Sequence, residues 1–219
     1  MISILMPIFN GIEFLDESVN SILNQSFEDW ELIIGINGHP PQSDVYKVAK
    51  EYEILYGNNI RVLDFPTIKG KATTLNAMVP YCKYDFVAIL DVDDAWLPDK
   101  LMLQSTFLED YDVVGSRCVY FGDPRMNGVF PSIPVGNISS LDFTKSNPVI
   151  NSSAIIRKEF CYWNENGIED YELWLRLRKQ GRKFYNCDAV LVRHRIHSTS
   201  AFNSKGHANE VLELLREYA

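Results

Sequence analysis

The chain has 219 residues, the length of one domain, and 46% of them are hydrophobic, enough to bury a sizeable core. A formal charge of −8 at pH 7 gives it no electrostatic means of holding a nucleic-acid polymer, although a small anionic ligand brought in by a cation remains compatible with it. Cys82, Cys118, Cys161 and Cys187 are scattered and form no Cys-x-x-Cys pair, which argues against zinc or dithiol chemistry and for packed thiols in a reducing compartment.

The first half alternates two periodicities. Residues 2–6 are an apolar run that stops at Pro7 and read as a buried strand. Ile12, Leu15, Val19, Ile22 and Leu23 recur at helical spacing. Residues 30–36 read as a second strand, closed by the turn signal Asn37-Gly38. A helix over 45–56, a strand over 60–65 and a helix over 69–79 follow. Residues 86–90 form a short apolar strand that runs into Asp91-Val92-Asp93-Asp94, and Pro98 stands where a helix can begin. Strands alternating with helices imply a mostly parallel sheet covered on both faces. Ligands of such sheets bind beyond the carboxyl ends of the strands, which is where Pro7, Asn37, Pro66 and Asp91 all fall.

The second half is less regular. A strand is expected over 113–121, a Gly-, Pro-, Ser- and Asn-rich loop region over 122–148, and a short strand over 153–157. Residues 171–180 read as a helix with Leu173, Trp174 and Leu177 on one side, stopped by Gly181. Residues 184–195 read as strand and 210–218 as a last helix. The start of the chain shows no basic segment followed by an apolar stretch, and no apolar run is long enough to span a bilayer. A cytoplasmic location is therefore expected, with no transmembrane segment and with peripheral membrane contact left open.

Asp91, Asp93 and Asp94 are the first candidates for chemistry. Carboxylates crowded at the end of a buried strand repel one another, so a cation is expected among them, and hard oxygen ligands favour Mn²⁺ or Mg²⁺. The alternative is a solvated acidic turn, or Asp93 or Asp94 capping the next helix. Lys71, in Gly70-Lys71-Ala72, stands at a strand-to-helix turn where a diphosphate can be met, or is a solvated surface lysine. Glu169-Asp170 precedes a helix and serves either as a cap or as a general base. His197 is a candidate metal ligand or a structural histidine, and Arg195 a candidate phosphate partner. Trp96, Trp163 and Trp174 are candidates for stacking on a sugar, core packing being the alternative for Trp174.

Taken in order, the segments SILMPIFN (3–10), SILNQSF (21–27), FVAILDVDDAWLPDKL (86–101), EDYELWLRL (169–177) and RIHSTS (195–200) resemble glycosyltransferase family 2. The resemblance covers nearly the whole chain. It implies an α/β GT-A fold: a Rossmann-like, mostly parallel sheet flanked by helices, with a smaller acceptor-side region in the C-terminal half. One domain, 1–219, is implied, in which 1–110 bind the nucleotide-sugar and 111–219 supply the acceptor site and the base. The implied activity is an inverting, metal-dependent transfer from a nucleotide-diphosphate sugar, UDP-linked by family frequency, to a carbohydrate or glycoconjugate hydroxyl. In that resemblance Asp170 is the base with Glu169 beside it, and Asp93 ligates the metal, Mn²⁺ or Mg²⁺, for which His197 stays a candidate further ligand. Asp91 contacts the ribose, Lys71 approaches the donor, and Phe9, replacing a tyrosine after Pro7, stacks on the base. Relatives carry an acidic D-[DN]-G-S turn after the second strand, and this chain has Ile36-Asn37-Gly38-His39. Ile36 accepts no hydrogen bond, which leaves Asn37 as the substitute and the nucleotide open. The competing readings are a nucleotidyltransferase, against which the absence of a Gly-rich basic loop after the first strand counts, and a degenerate sugar-nucleotide-binding module.

Overall fold

Strands that are apolar on both faces have to be covered on both faces, and that requirement sets the architecture. The computed structural model describes residues 1–165, 168–197 and 207–218. β1 (Ile2–Ile8) and β2 (Trp30–Asn37) are buried along their whole length. With β3 (Ile60–Phe65) and β4 (Phe86–Ile89) they form a parallel block in the order β3-β2-β1-β4. The crossovers carry α1 (Leu15–Leu23), α2 (Asp44–Tyr56) and α3 (Lys71–Met78). Ser43 caps α2 by accepting the Tyr46 N–H at 3.3 Å.

Beyond β4 the sheet changes character. β5 (Ala95–Trp96) and α4 (Lys100–Ser105) follow the acidic turn. β6 (Val113–Phe121), β7 (Gly136–Asn137), β8 (Ile155–Arg157) and β9 (Phe184–Arg195) complete the order β3-β2-β1-β4-β8-β6-β9-β5, with β7 on β9. β8 runs antiparallel to both β4 and β6, whereas β6 and β9 run parallel through a register shift near Arg117. The expected loop region thus holds the short β7 and a 3-10 turn at Phe143–Lys145. α5 (Glu169–Lys179) has acids in its first turn and Arg176, Arg178 and Lys179 in its last, the polarity its dipole favours, and Gly181 follows it at φ +75°. α6 (His207–Tyr218) packs on α5, where the Tyr218 hydroxyl donates to Glu172 at 2.6 Å. No described helix is long and apolar enough to cross a membrane.

Two apolar layers flank the sheet, one built on Ile4, Ile34 and Leu101, the other on Leu5, Leu75 and Trp174. Trp163 and Trp174 are fully buried and Trp96 is 3% exposed, so all three are packing residues and none offers a face to a sugar. The indole N–H of Trp96 donates to the Ser152 carbonyl at 2.7 Å.

Lys100 is the unexpected member of this interior. It is fully buried, and its Nζ lies 4.0 Å over the Trp96 ring with no hydrogen-bond partner among the described residues. Burial pushes its pKa down to about 7, with Cys187 opposing weakly. The unfolded chain therefore binds more protons between pH 7 and the ordinary lysine range, so this group makes stability rise with pH across that window. Lys100→Met should stabilise the fold at pH 7, by about 1–4 kcal/mol if it follows the range for buried ion pairs replaced by apolar side chains of similar size. Thermal melts at pH 7 and pH 10 test this, and the advantage should shrink at the higher pH.

Candidate functional site

β4 ends at Ile89, Leu90 still pairs with Leu5, and the chain then turns at the carboxyl edge of the sheet, with Asp94 N–H donating to the Asp91 carbonyl at 2.9 Å. The three carboxylates of this turn leave in different directions, and each meets its own partner.

Asp91 faces α3. Gly70, at φ +90°, sits in a conformation that side chains other than glycine rarely adopt, and it starts the helix at Lys71. Lys71 Nζ lies 2.6 Å from Asp91 Oδ1 and 3.6 Å from Glu169 Oε1 at the start of α5. The other Asp91 oxygen accepts from Asn151 Nδ2 at 3.1 Å, and its backbone N–H donates to Ser152 Oγ at 3.2 Å. Burial alone would raise the Asp91 pKa, but Lys71 and Asn151 outweigh it and hold the group below the usual carboxylate range. Burial would likewise lower Lys71, and Asp91 and Glu169 together keep it well above the ordinary lysine value.

Asp93 faces the end of β9, with its Oδ2 2.9 Å from His197 Nε2. Burial, then Asp94 and Asp91, raise its pKa, and the His197 contact opposes them. Asp94 is 1% exposed and has both oxygens engaged by β9, one by His194 Nδ1 at 3.0 Å and one by the Arg195 N–H at 2.8 Å. It does not cap α4, whose cap position is Asp99. His194 is raised to about 9, because Asp94, backed by Asp91 and Asp93, overcomes the burial that would lower it. The carboxylates expected to gather a cation thus already have partners within the chain. Lys71 stands against Asp91, His194 against Asp94, and the His197 ring is in hydrogen-bond contact with Asp93.

Arg195, a candidate phosphate partner, is already engaged. Its guanidinium lies over the rings of Phe14 and Phe121 at 4.4 and 4.2 Å, donates to the Asp93 carbonyl at 2.8 Å and pairs with Glu17. With its side chain 13% exposed, it braces the turn and is not presented to a phosphate.

Asp170 is the second residue of α5 and half-buried. Its Oδ1 accepts the Tyr171 N–H at 2.7 Å, and Asn147 Nδ2 approaches Oδ2 at 3.5 Å. Burial, then Glu169, pushes its pKa up to about 6 against the pull of Lys71. Lys71 is therefore the joint between the acidic turn and the α5 acids, which are about 80 residues apart in sequence.

At the ends of β1 and β2, Phe9 is 53% exposed and forms a tilted pair with the His39 ring, centroids 5.3 Å apart. Gly38 adopts φ +72°, and a Cβ there would come within 3.1 Å of the Phe9 ring. Pro7 and Asn37 are buried within β1 and β2, and Ile36 is fully buried. His39 was not singled out by any motif, and neither were Asn151 or His194. The signal available was weak: a histidine after Asn-Gly, an asparagine before two serines, and a histidine beside Arg195.

No group of three or more His, Cys, Asp and Glu side chains among the described residues is arranged to hold a metal. Asp93 and His197 form an oxygen–nitrogen pair, which fits an ion that takes its other ligands from phosphate oxygens and water, as Mg²⁺ and Mn²⁺ do at nucleotide sites. Residues 198–200 of the last sequence motif lie outside the described residues.

Comparison with known proteins follows the same lines. The family model described as "Glycosyl transferase family 2" matches residues 3–162. An Escherichia coli protein, UDP-Glc:alpha-D-GlcNAc-diphosphoundecaprenol beta-1,3-glucosyltransferase WfaP, is 27% identical over 224 residues, covering 99% of this chain and 84% of its own. Among solved structures, S. aureus TarS 1-349 in complex with UDP-GlcNAc superposes with a TM-score of 0.78 at 16% identity, covering 99% of this chain. The mannosyltransferase PcManGT from Pyrobaculum calidifontis, in complex with GDP-Man and Mn²⁺, gives a TM-score of 0.70 at 14% identity and covers 98% of this chain and 68% of its own. This chain spans 66% of that TarS fragment, just under two thirds.

Proposed function

Because the chain belongs to glycosyltransferase family 2 and is a glycosyltransferase of GT-A fold, we propose that it moves a sugar from a nucleotide-diphosphate donor to an acceptor hydroxyl with inversion at the anomeric carbon. UDP is the first choice of nucleotide, with GDP and dTDP as the others. The acceptor is a carbohydrate or glycoconjugate. The observation that carries the reading is the Lys71 ammonium, which bridges Asp91 on the nucleotide side and Glu169 beside Asp170 on the acceptor side. A donor whose diphosphate displaces that ammonium from its carboxylates would leave the sugar between the two halves of the site.

In this reading Asp170 Oδ2 accepts the proton of the acceptor hydroxyl as its oxygen forms the new bond to the anomeric carbon. The bond to the diphosphate breaks in the same step, and its electrons leave on the nucleotide diphosphate. Asp91 holds the ribose, and Phe9, with its exposed ring, stacks on the nucleobase. Lys71 neutralises the leaving diphosphate. Asp93 and His197 would hold Mn²⁺ or Mg²⁺, which supplies further charge to that leaving group when bound. The support for a metal is the fit of this ligand pair and the Mn²⁺ carried by PcManGT.

Calorimetric titration of UDP-, GDP- and dTDP-sugars with Mn²⁺, followed by a transfer assay with the product anomer read by NMR, tests the reading. Asp93→Ala is expected to bring nucleotide affinity in Mn²⁺ down to the value measured in EDTA. Unchanged metal dependence in that variant would remove the metal assignment. Pyrophosphate release from a nucleoside triphosphate and a sugar phosphate would replace transfer by nucleotidyl chemistry.

A further inference from the structure

Asp91 is held from two sides by groups of opposite mechanical character. Lys71 is a charge on a flexible four-carbon stem with a second carboxylate, Glu169, within 3.6 Å, so it is free to exchange partners. Asn151 is short, 9% exposed, and part of a 3-10 turn, Asn151–Ser153, whose two serines are bonded to the surrounding elements. Ser152 accepts from Asp91 N–H through Oγ and from Trp96 Nε1 through its carbonyl. Ser153 accepts from Ser116 N–H through Oγ at 3.1 Å, donates to the Ile150 carbonyl at 2.7 Å, and accepts from Gln104 Nε2 at 2.9 Å. The turn is therefore a fixed post.

The Asn151 amide is also costly where it stands. Its Nδ2 donates to Asp91, but its Oδ1 is buried without a hydrogen-bond partner among the described residues. A buried acceptor left unsatisfied is a destabilising feature that a smaller or apolar residue would avoid. The compensation within the structure is the bond to Asp91.

We propose that Asn151 is a positioning residue for donor binding: it fixes the Asp91 carboxylate so that its orientation survives when Lys71 leaves for the diphosphate. The inference rests on the reading of Asp91 as a nucleotide contact. In that reading the oxygen released by Lys71 becomes the ribose acceptor, while Asn151 keeps the other one occupied.

The test is a double-mutant cycle on nucleotide affinity by calorimetry, with steady-state kinetics alongside. Asn151→Ala is expected to weaken nucleoside-diphosphate binding and raise donor KM about tenfold with kcat little changed, the size of one lost charge-assisted hydrogen bond. The penalty for a 2′,3′-dideoxy nucleotide should shrink in the same variant. In an Asp91→Ala background the second substitution should add nothing. Asn151→Ser, smaller and still polar, repeats the measurement should the alanine variant fail to fold. If Asp91→Ala binds as wild type does, the nucleotide reading of Asp91 falls and this proposal with it. If Asp91→Ala weakens binding while the Asn151 variants match wild type, or if the two effects are additive, the positioning role alone is overturned.

Discussion

Asp170→Asn should leave donor affinity near wild type and lower transfer by about 10²- to 10⁴-fold, the usual contribution of a positioned general base. The amide is nearly isosteric and its oxygen can still accept the Tyr171 N–H, so the start of α5 should stay in place. What it loses is the capacity to take a proton. The pH profile carries an independent signature. A carboxyl titrating at about 6 is a competent base only when ionised, so kcat/KM should fall as pH drops through 6 and level off above it. Lys71 opposes the rise of that pKa, and Lys71→Met should move the acidic limb to higher pH as well as weaken donor binding. Full turnover in Asp170→Asn would sink the assignment, and a limb that stays put in Lys71→Met would show that the ammonium does not tune Asp170.

The parallel block was legible because its physics is local. Runs such as Ile2-Ser3-Ile4-Leu5-Met6 are buried on both faces, and the helices between them show the matching period, so sequence spacing carries the topology as far as β4. The position of Asp91 after a short apolar strand was legible for the same reason. The C-terminal half was not, because its pairing is long-range. Nothing local says that the three residues of β8 insert antiparallel between β4 and β6, or that β9 returns beside β6 and carries β5 on its other side. The partners of the acidic turn come from that same return. His194, Arg195 and His197 reach Asp94 and Asp93 across about 100 residues of sequence, so charge repulsion within the turn was readable and its internal relief was not. Trp96 and Trp163 belong to the same class, since their burial follows from packing that no periodicity encodes, whereas Trp174 lies on the apolar side of α5 with Leu173 and Leu177. The acid lost at Ile36 was visible at once, while the exposed Phe9–His39 ring pair beside it needed coordinates.

Asp94→Ala should cost about 3–5 kcal/mol of stability, the range for removing one partner of a buried ion pair. Two donors would be stranded together, the His194 imidazole and the Arg195 N–H, at the point where β9 is fastened to the acidic turn. The pH dependence separates this pair from the rest of the protein. His194 has a folded pKa of about 9, above its ordinary value, so the stability it contributes is fully present below about 6.5 and is lost as pH rises through 9. Lys100 acts with the opposite sign, because its folded pKa is lowered and its contribution grows as pH rises above 7. Between pH 7 and 9 the two slopes oppose each other in the wild-type protein. Each single variant should uncover the other: Lys100→Met should lose stability as pH rises across that window, and His194→Gln should gain it. His194→Gln should also be least stable relative to wild type at pH 6 and approach it near pH 9.5. A wild-type-like slope in both variants would mean that neither buried group carries the charge ascribed to it.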